Sequence, residues 1–217
     1  MRAGLSLWVV LILSLVFVSC RKTTLEKYPS GKPRVEQTFK GNKLDGIYRL
    51  WYESGVLQQQ ADYKSDLLEG TMTRWYANGN KEAEEHYSKG LKSGTASYWD
   101  ADGNLVEVKN FRNDTLHGEY KYWYPSGVPK IEGFYQEGFY HGKWTYFSEM
   151  GIKVGEGNFN KGSGILTGFD PRGWRNHLVT YKANKKEGEE LWYNNKGEVL
   201  ERAMYKEDKL IESSKVK

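Results

Sequence analysis

Four tryptophans stand 24 residues apart, at Trp51, Trp75, Trp99 and Trp123, and they are the first candidates for chemistry in this chain. Flat rings shown at a fixed interval can take sugar rings or partner side chains, because an aromatic face buries area at low entropic cost. Tyr52, Tyr76 and Tyr124 follow three of them, while Asp100 follows Trp99. These seven aromatic residues form the candidate binding set; the structural alternative is that the rings pack the protein against itself. His117 and His141 are also 24 apart. Two zinc-bound imidazoles must place nitrogens about 2.0–2.1 Å from one metal. Asp45, Glu69, Ser93 and Glu187 fill the same column, so it reads as a polar loop position and no metal site is expected. Glu36, Glu84, Glu132 and Glu156 recur on the same period and read as solvated face positions, not as an acid–base pair. No nucleophile elbow, phosphate loop or dinucleotide fingerprint is present. The chain reads as non-enzymatic and without a cofactor.

The element that must position these residues is a repeat. Gly31, Gly55, Gly79, Gly103, Gly127 and Gly151 step by 24, as do Gly46, Gly70, Gly94, Gly118 and Gly142. An aromatic column of Phe39, Tyr63, Tyr87, Phe111, Tyr135 and Phe159 runs with them. After a two-residue contraction the pattern resumes at Gly164, Gly173 and Tyr181, then Gly188, Gly197 and Tyr205. A fixed period of this length means stacked units. Glycine is 24 of 217 residues and aromatics are 15%, a composition with little to fill a thick aliphatic core and many rings to cover a sheet. Helical periodicity is absent after residue 20.

Each unit carries two turn signals. Ser30-Gly31, Ser54-Gly55, Asn78-Gly79, Asp102-Gly103 and Ser126-Gly127 suit a two-residue hairpin turn with positive φ at both positions. Asn42, Asp66, Gly90, Asp114, Gly138, Gly162, Asn184 and Asp208 form a second column of residues tolerant of the left-handed region. Two turns per unit leave two strands, a β-hairpin. A two-residue turn at Ser54-Gly55 sets Gly46 opposite Tyr63, and the same rule pairs a glycine with an aromatic in seven successive hairpins. That pairing suggests rings lying over bare backbone. Alternation then places Tyr120, Tyr122, Tyr124, Ile131 and Tyr135 on one face of the fourth hairpin. Glu119, Lys121, Trp123, Lys130 and Glu132 fall on the other; a three-residue bulged turn would shift one strand by a residue. The expected fold is all-β: one elongated, twisted antiparallel sheet of stacked ~24-residue hairpins.

The first residues are a separate segment. Arg2 precedes an apolar run from Leu5 to Val18, broken only by Ser6 and Ser14, with the size of a signal-peptide core. It ends at Cys20, the only cysteine, so no intramolecular disulfide can form. Phe17-Val18-Ser19-Cys20 resembles a bacterial lipobox, with Phe17 where leucine is usual. The expected organisation is a signal-peptide helix over 1–19, a lipidated tether over 20–24, the hairpin array over 25–211 and a charged tail over 212–217. Cys20 is the expected site of lipid attachment and hence of membrane association. The whole chain has a formal net charge of +4, interspersed, which gives no footprint for nucleic acid.

The recurring string Gly-x4-Trp-Tyr-x2-Gly, as in Gly46…Trp51-Tyr52…Gly55, resembles the MORN-repeat variant of the bacterial YwqK-type antitoxin family. Asp100, Phe147-Ser148 and Phe169-Asp170 depart from it, and the last unit shifts to Trp192-Tyr193. The resemblance implies a hairpin array acting in protein or membrane association. The expected function is a lipid-anchored scaffold of the cell envelope that binds a protein or envelope component. Arg21 after the cysteine favours the outer membrane in a diderm cell. An antitoxin or immunity protein, and a glycan-binding module using the tryptophan stripe, remain as alternatives.

Overall fold

In the computed structural model, which describes residues 20–216, two kinds of turn alternate and everything between them is strand. The first six strands are β1 (Arg21–Lys27), β2 (Pro33–Lys40), β3 (Lys43–Trp51), β4 (Leu57–Lys64), β5 (Leu67–Trp75) and β6 (Lys81–Ser88). The next six are β7 (Leu91–Trp99), β8 (Leu105–Arg112), β9 (Thr115–Trp123), β10 (Pro129–Gln136), β11 (Phe139–Phe147) and β12 (Lys153–Asn160). The array ends with β13 (Ser163–Phe169), β14 (Arg175–Lys182), β15 (Lys185–Tyr193), β16 (Val199–Lys206) and β17 (Lys209–Lys215). Each strand pairs antiparallel with its neighbours in sequence, and β1 and β17 do not meet, so the 17-stranded sheet stays open. This is the all-β hairpin array that the glycine period implies. The expected signal-peptide helix lies outside the described residues.

The turn at Ser54-Gly55 is longer than the two-residue form anticipated. The Gly55 N–H donates to the Tyr52 carbonyl at 2.8 Å and the Tyr52 N–H donates to the Val56 carbonyl at 2.9 Å. Gly55 takes φ 97°, while Ser54 is not left-handed. Gln58 then bulges, so that Trp51 faces Leu57 but Leu50 faces Gln59. The bulge cancels the one added turn residue. For that reason Gly46 still meets Tyr63, and the other six glycine–aromatic pairs form as expected. The two-residue turns lie at the opposite end of the strands. Ser65 and Asp66 have φ 51° and 72°, the type I′ signature. Asn113-Asp114, Ala183-Asn184 and Glu207-Asp208 repeat it, and glycine takes the second place at Gly90, Gly138 and Gly162.

The repeat glycine serves a different purpose from covering by a ring. Past most turns at this end three residues, such as Asp45, Gly46 and Ile47, face one, here Thr38. Gly46 sits in this bulge at φ 136°, and a Cβ there would come within 2.8 Å of the Thr38 side chain. Gly118 repeats the arrangement against Asn110. At Gly46, Gly70, Gly94, Gly118 and Gly188 no atom of the opposed ring is among the nearest neighbours of a Cβ. Positive φ and the crowded bulge, not the ring opposite, demand glycine. The two-residue contraction in the sequence is the loss of one such bulge: β12 and β13 pair without a register shift, and Gly164 has no positive φ.

One face carries the apolar residues in a row across the strands. It runs Tyr48, Ala61, Met72, Glu85, Ala96, Lys109, Tyr120, Gly133, Trp144, Gly157, Leu166, Val179, Glu190 and Ala203, largely alternating large with small. Without a second layer, small residues can be buried only if neighbouring side chains lean over them. Trp144 is 2% exposed because Tyr120, Tyr135 and Tyr140 surround it at 5.6, 5.0 and 4.6 Å between centroids. Tyr120, Tyr122, Ile131 and Tyr135 share this face as expected, with Glu119, Lys121 and Glu132 opposite. Lys130 leaves the face assigned to it. It is the bulged residue of β10, and its ammonium lies 5.4 and 5.0 Å over the rings of Tyr122 and Tyr124. The array also exceeds its expected bounds: β1 occupies 21–24 of the supposed tether, and β17 runs through most of the supposed tail.

The bulge geometry orders two substitutions. Gly94→Ala should cost about 1 kcal/mol, since it meets positive φ with His86 Cβ still 3.6 Å away. Gly118→Ala should cost about 2–3 kcal/mol, since it adds a 2.9 Å clash with Asn110 Cβ. Thermal unfolding of both variants gives the order, and equal losses would refute the crowding argument.

Candidate functional site

The tyrosines of the candidate set are tied into the scaffold. Tyr52 Oη donates to the Trp75 carbonyl at 3.0 Å, Tyr76 Oη to the Trp99 carbonyl at 2.9 Å, and Tyr124 Oη to the Phe147 carbonyl at 3.0 Å. Tyr28 makes the same bond to Trp51 at 2.6 Å. Each hydroxyl therefore staples one hairpin to the next along the bulged-turn edge. Where the tyrosine is replaced, the substitute caps its own turn instead. Asp100 Oδ1 accepts from the Asp102 and Asn104 N–H groups, Asp170 Oδ1 from Arg172 and Trp174, and Asn194 Oδ1 from Lys196 and Glu198. These caps pull Asp100 and Asp170 below the usual carboxylate range, the side chains of Asn104 and Arg172 giving the largest effect in each case.

The tryptophan stripe is present, and a cation lies over one of its rings. Trp51, Trp75, Trp99 and Trp123 end β3, β5, β7 and β9 and are all half-buried. Lys81 sits 5.0 Å over the Trp99 ring and binds Glu84 at 2.7 Å. Cation–aromatic pairs of this kind recur at Lys153 over Phe169 and Arg175 over Tyr193. Within the candidate set, Lys81 covers a face of Trp99 and Lys130 a face of Tyr124.

The column read as a polar loop position has a defined task. Asp45 Oδ2 accepts the Ser65 N–H at 3.3 Å, Glu69 Oε2 the Lys89 N–H at 2.7 Å and Glu187 Oε2 the Glu207 N–H at 2.8 Å. His117 Nδ1 accepts from Glu137 at 3.4 Å. In each case the side chain caps the first residue of the next I′ turn. His141 has the same place, yet its buried Nδ1 has no partner. Among the described residues no three His, Cys, Asp or Glu side chains converge on a point that could hold a metal ion. Asp45 also receives Arg21 Nη2 at 2.9 Å, and that hydrogen bond holds its carboxyl low.

Two buried carboxylates escape a reading based on columns. Glu85 and Glu190 are 2% and 3% exposed, Glu85 in the strand column of Ala61, Lys109 and Val179 and Glu190 in that of Met72, Trp144 and Leu166. Glu85 Oε1 takes the Lys92 ammonium and the Tyr98 hydroxyl at 2.6 Å, while Oε2 takes Arg74 Nη1 and the Tyr87 hydroxyl, both at 3.2 Å. Burial pushes this carboxyl up, but Lys92 and Tyr98 outweigh it and the net shift is downward. Burial and the adjacent carboxylate raise the Tyr87 hydroxyl to about 12. Glu190 binds His177 Nε2 at 2.8 Å and Lys186 Nζ at 2.8 and 2.9 Å. Burial again opposes and Lys186 and His177 prevail, leaving Glu190 low. The signal in the sequence was a carboxylate in a column held mostly by small or apolar residues, with Lys109 as the other charge. Cys20, the expected lipid site, is exposed immediately before β1.

Four segments, residues 44–65, 68–89, 116–137 and 186–207, match the family model described as a MORN repeat variant. Each starts just past one I′ turn and ends at the next, so a matched segment is one hairpin around a bulged turn. The unmatched hairpins containing Asp100, Ser148 and Asp170 fold alike, without the tyrosine staple. No curated protein matches the chain.

Two tests follow from these bonds. Tyr76→Phe removes one staple and nothing else, and should cost about 1 kcal/mol in denaturant unfolding; no loss would deny the staple its role. Glu85 is depressed in the folded protein, so its contribution is complete above its ordinary value of 4.5 and is lost as pH falls through the lower folded value. Glu85→Gln should cost about 2 kcal/mol at pH 7 and flatten the loss of thermal stability below about pH 4.5. An acid limb as steep as that of the parent protein would remove Glu85 from that role.

Proposed function

We propose that this protein is a non-enzymatic scaffold of the cell envelope, held to a membrane by a lipid on Cys20 and offering its hairpin sheet to another macromolecule. The observation that supports this reading best is where the polar side chains go. The tyrosine hydroxyls join successive hairpins, the aspartates cap turns, and the buried glutamates neutralise cations within the sheet. What is left for a partner is extended surface, two faces of a sheet spanning on the order of 75 Å. Exposed Cys20 stands one residue ahead of β1, so an acyl chain there would hang the array close against the bilayer. A single chain anchors only marginally, and a lipoprotein carries more than one. Arg21, in place of a retention aspartate, favours the outer membrane of a diderm cell.

The resemblance to the YwqK-type antitoxins supplies a narrower form of the same reading, an immunity protein that meets its toxin outside the inner membrane. It requires that expression of the protein rescue cells from such a toxin. The tether itself is tested by Cys20→Ser. That variant should lose metabolic labelling with a fatty-acid analogue and move from the membrane to the soluble fraction. Labelling and fractionation unchanged from the parent protein would overturn the tether.

A further inference from the structure

The two ends of the strands carry opposite charge. The eight two-residue turns, each with the residue on either side (40–43 through 206–209), hold ten lysines and arginines and five carboxylates. The eight bulged turns at the other end, 28–32 through 194–198, hold three and six. Within the sheet the cations are matched: Arg49, Arg74, Lys92, Lys109 and Lys186 all meet carboxylates. At the first three two-residue turns they are not. Lys40, Lys43, Lys64 and Lys89 are exposed, and among the described residues none of them forms an ion pair. The carboxylates around them turn back onto the backbone instead. Asp66 Oδ1 takes the Leu44 N–H, Asp45 Oδ2 the Ser65 N–H and Glu69 Oε2 the Lys89 N–H.

Cys20 belongs to this same end. Arg21 pairs with Lys40, the last residue of β2, so the chain enters the sheet beside the first two-residue turn. Two large apolar side chains stand among the lysines. Leu67 and Leu91, each the first residue after its turn, are 48% and 41% exposed. Leu67 Cδ2 reaches along the edge, 3.4 Å from where a Cβ on Gly90 would lie. The bulged turns of the same two hairpins, 52–56 and 76–80, hold no lysine or arginine, and Glu53 is their one charge.

We propose that the turns at Gly41-Asn42, Ser65-Asp66 and Lys89-Gly90 rest on the membrane that holds Cys20, their lysines on anionic phospholipid headgroups and Leu67 and Leu91 at the boundary with the acyl chains. Cations beside a membrane are drawn to an anionic leaflet, and the attraction fades within a Debye length. Only groups kept at the surface feel it, and an anchor at Cys20 keeps these there. Leucines between lysines suit that boundary, because apolar contact adds to the charge attraction. Each lysine can lay its methylenes along the leucines while its ammonium stays with the phosphates. The nine residues of β3 and of β5 then hold the bulged turns and the tryptophan row about 30 Å away from the headgroups. This inference rests on the tethered-scaffold reading and adds which end of the sheet meets the bilayer and the lipid chemistry it meets.

The test uses the full chain, ¹⁵N-labelled, in lipid nanodiscs of phosphatidylcholine with or without phosphatidylglycerol, all carrying a gadolinium-chelating headgroup lipid. With phosphatidylglycerol present, the Gly41, Ser65 and Gly90 amide signals should broaden while those of Gly55 and Gly79 stay sharp. In phosphatidylcholine alone, or in about 0.5 M salt, the broadening should fall by about half or more. Lys64→Gln combined with Lys89→Gln should reduce it likewise in the anionic discs, with the melting temperature within a few degrees of the parent. Lys196→Gln, in a bulged turn, should leave it unchanged. Equal broadening in the two lipids would mean a tether alone and would overturn the headgroup contact. So would broadening at Gly55 and Gly79 as strong as at Gly41 and Gly90, or full broadening in the folded double variant. The chain keeps its apolar run from Leu5 to Val18 in these discs, so none of the outcomes depends on an acyl group at Cys20, which the fractionation experiment reads by itself.

Discussion

A sheet with no second layer must find within its own plane what other folds obtain by packing layers together. The hydrogen-bonded link between successive I′ turns is what makes this possible. The Asp66 N–H donates to the Leu44 carbonyl at 2.9 Å, and Asp66 Oδ1 takes the Leu44 N–H at 2.7 Å. Corresponding backbone bonds join Gly90 to Leu68, Asp114 to Lys92, Gly138 to Leu116, Gly162 to Tyr140, Asn184 to Gly162 and Asp208 to Lys186. Each turn thus hooks onto the strand that follows the previous turn, except that Asn184 reaches turn residue Gly162 itself. The three-against-one bulge is the consequence, since the strand must gather residues to let the turns approach. Glycine at the bulge follows from that crowding, and the 24-residue period follows from the bulge.

Once the turns are hooked, the faces are not equivalent. The row from Tyr48 to Ala203 survives in an open sheet because tall side chains shelter short ones beside them. Burying a carboxylate in such a row is tolerable only when every oxygen is met, as at Glu85 with two cations and two phenols. Replacing apolar packing with a satisfied charge network keeps that unit in register, because no other position in the row would offer Glu85 the same four partners.

Much of this was legible in the chain because register is arithmetic. All seven glycine–aromatic pairs follow from the spacing of Gly46 to Tyr63 and its repeats. The turn types did not follow. Ser54-Gly55 has the composition of a two-residue hairpin turn, yet an added turn residue and the Gln58 bulge cancel in the sum and leave the pairing unchanged. Spacing alone cannot separate those two solutions. Nor can it show that Tyr76 reaches a carbonyl in the next hairpin, because a hydroxyl's partner depends on three-dimensional stacking. The two-residue contraction was visible, but its meaning as a missing bulge between β12 and β13 needed the pairing of Asn160 with Ser163.

The two edges of the sheet therefore differ in how firmly they are joined. At the I′ edge the hooks run unbroken from Leu44 to Asp208. At the other edge the tyrosine staples run from Tyr28 to Trp99, stop at Asp100, and recur once at Tyr124. Past Phe147 the substitutes cap their own turns, and neighbouring hairpins lose that bond between them. In an array whose stability is a sum of unit and nearest-neighbour contributions, those junctions are the weaker ones.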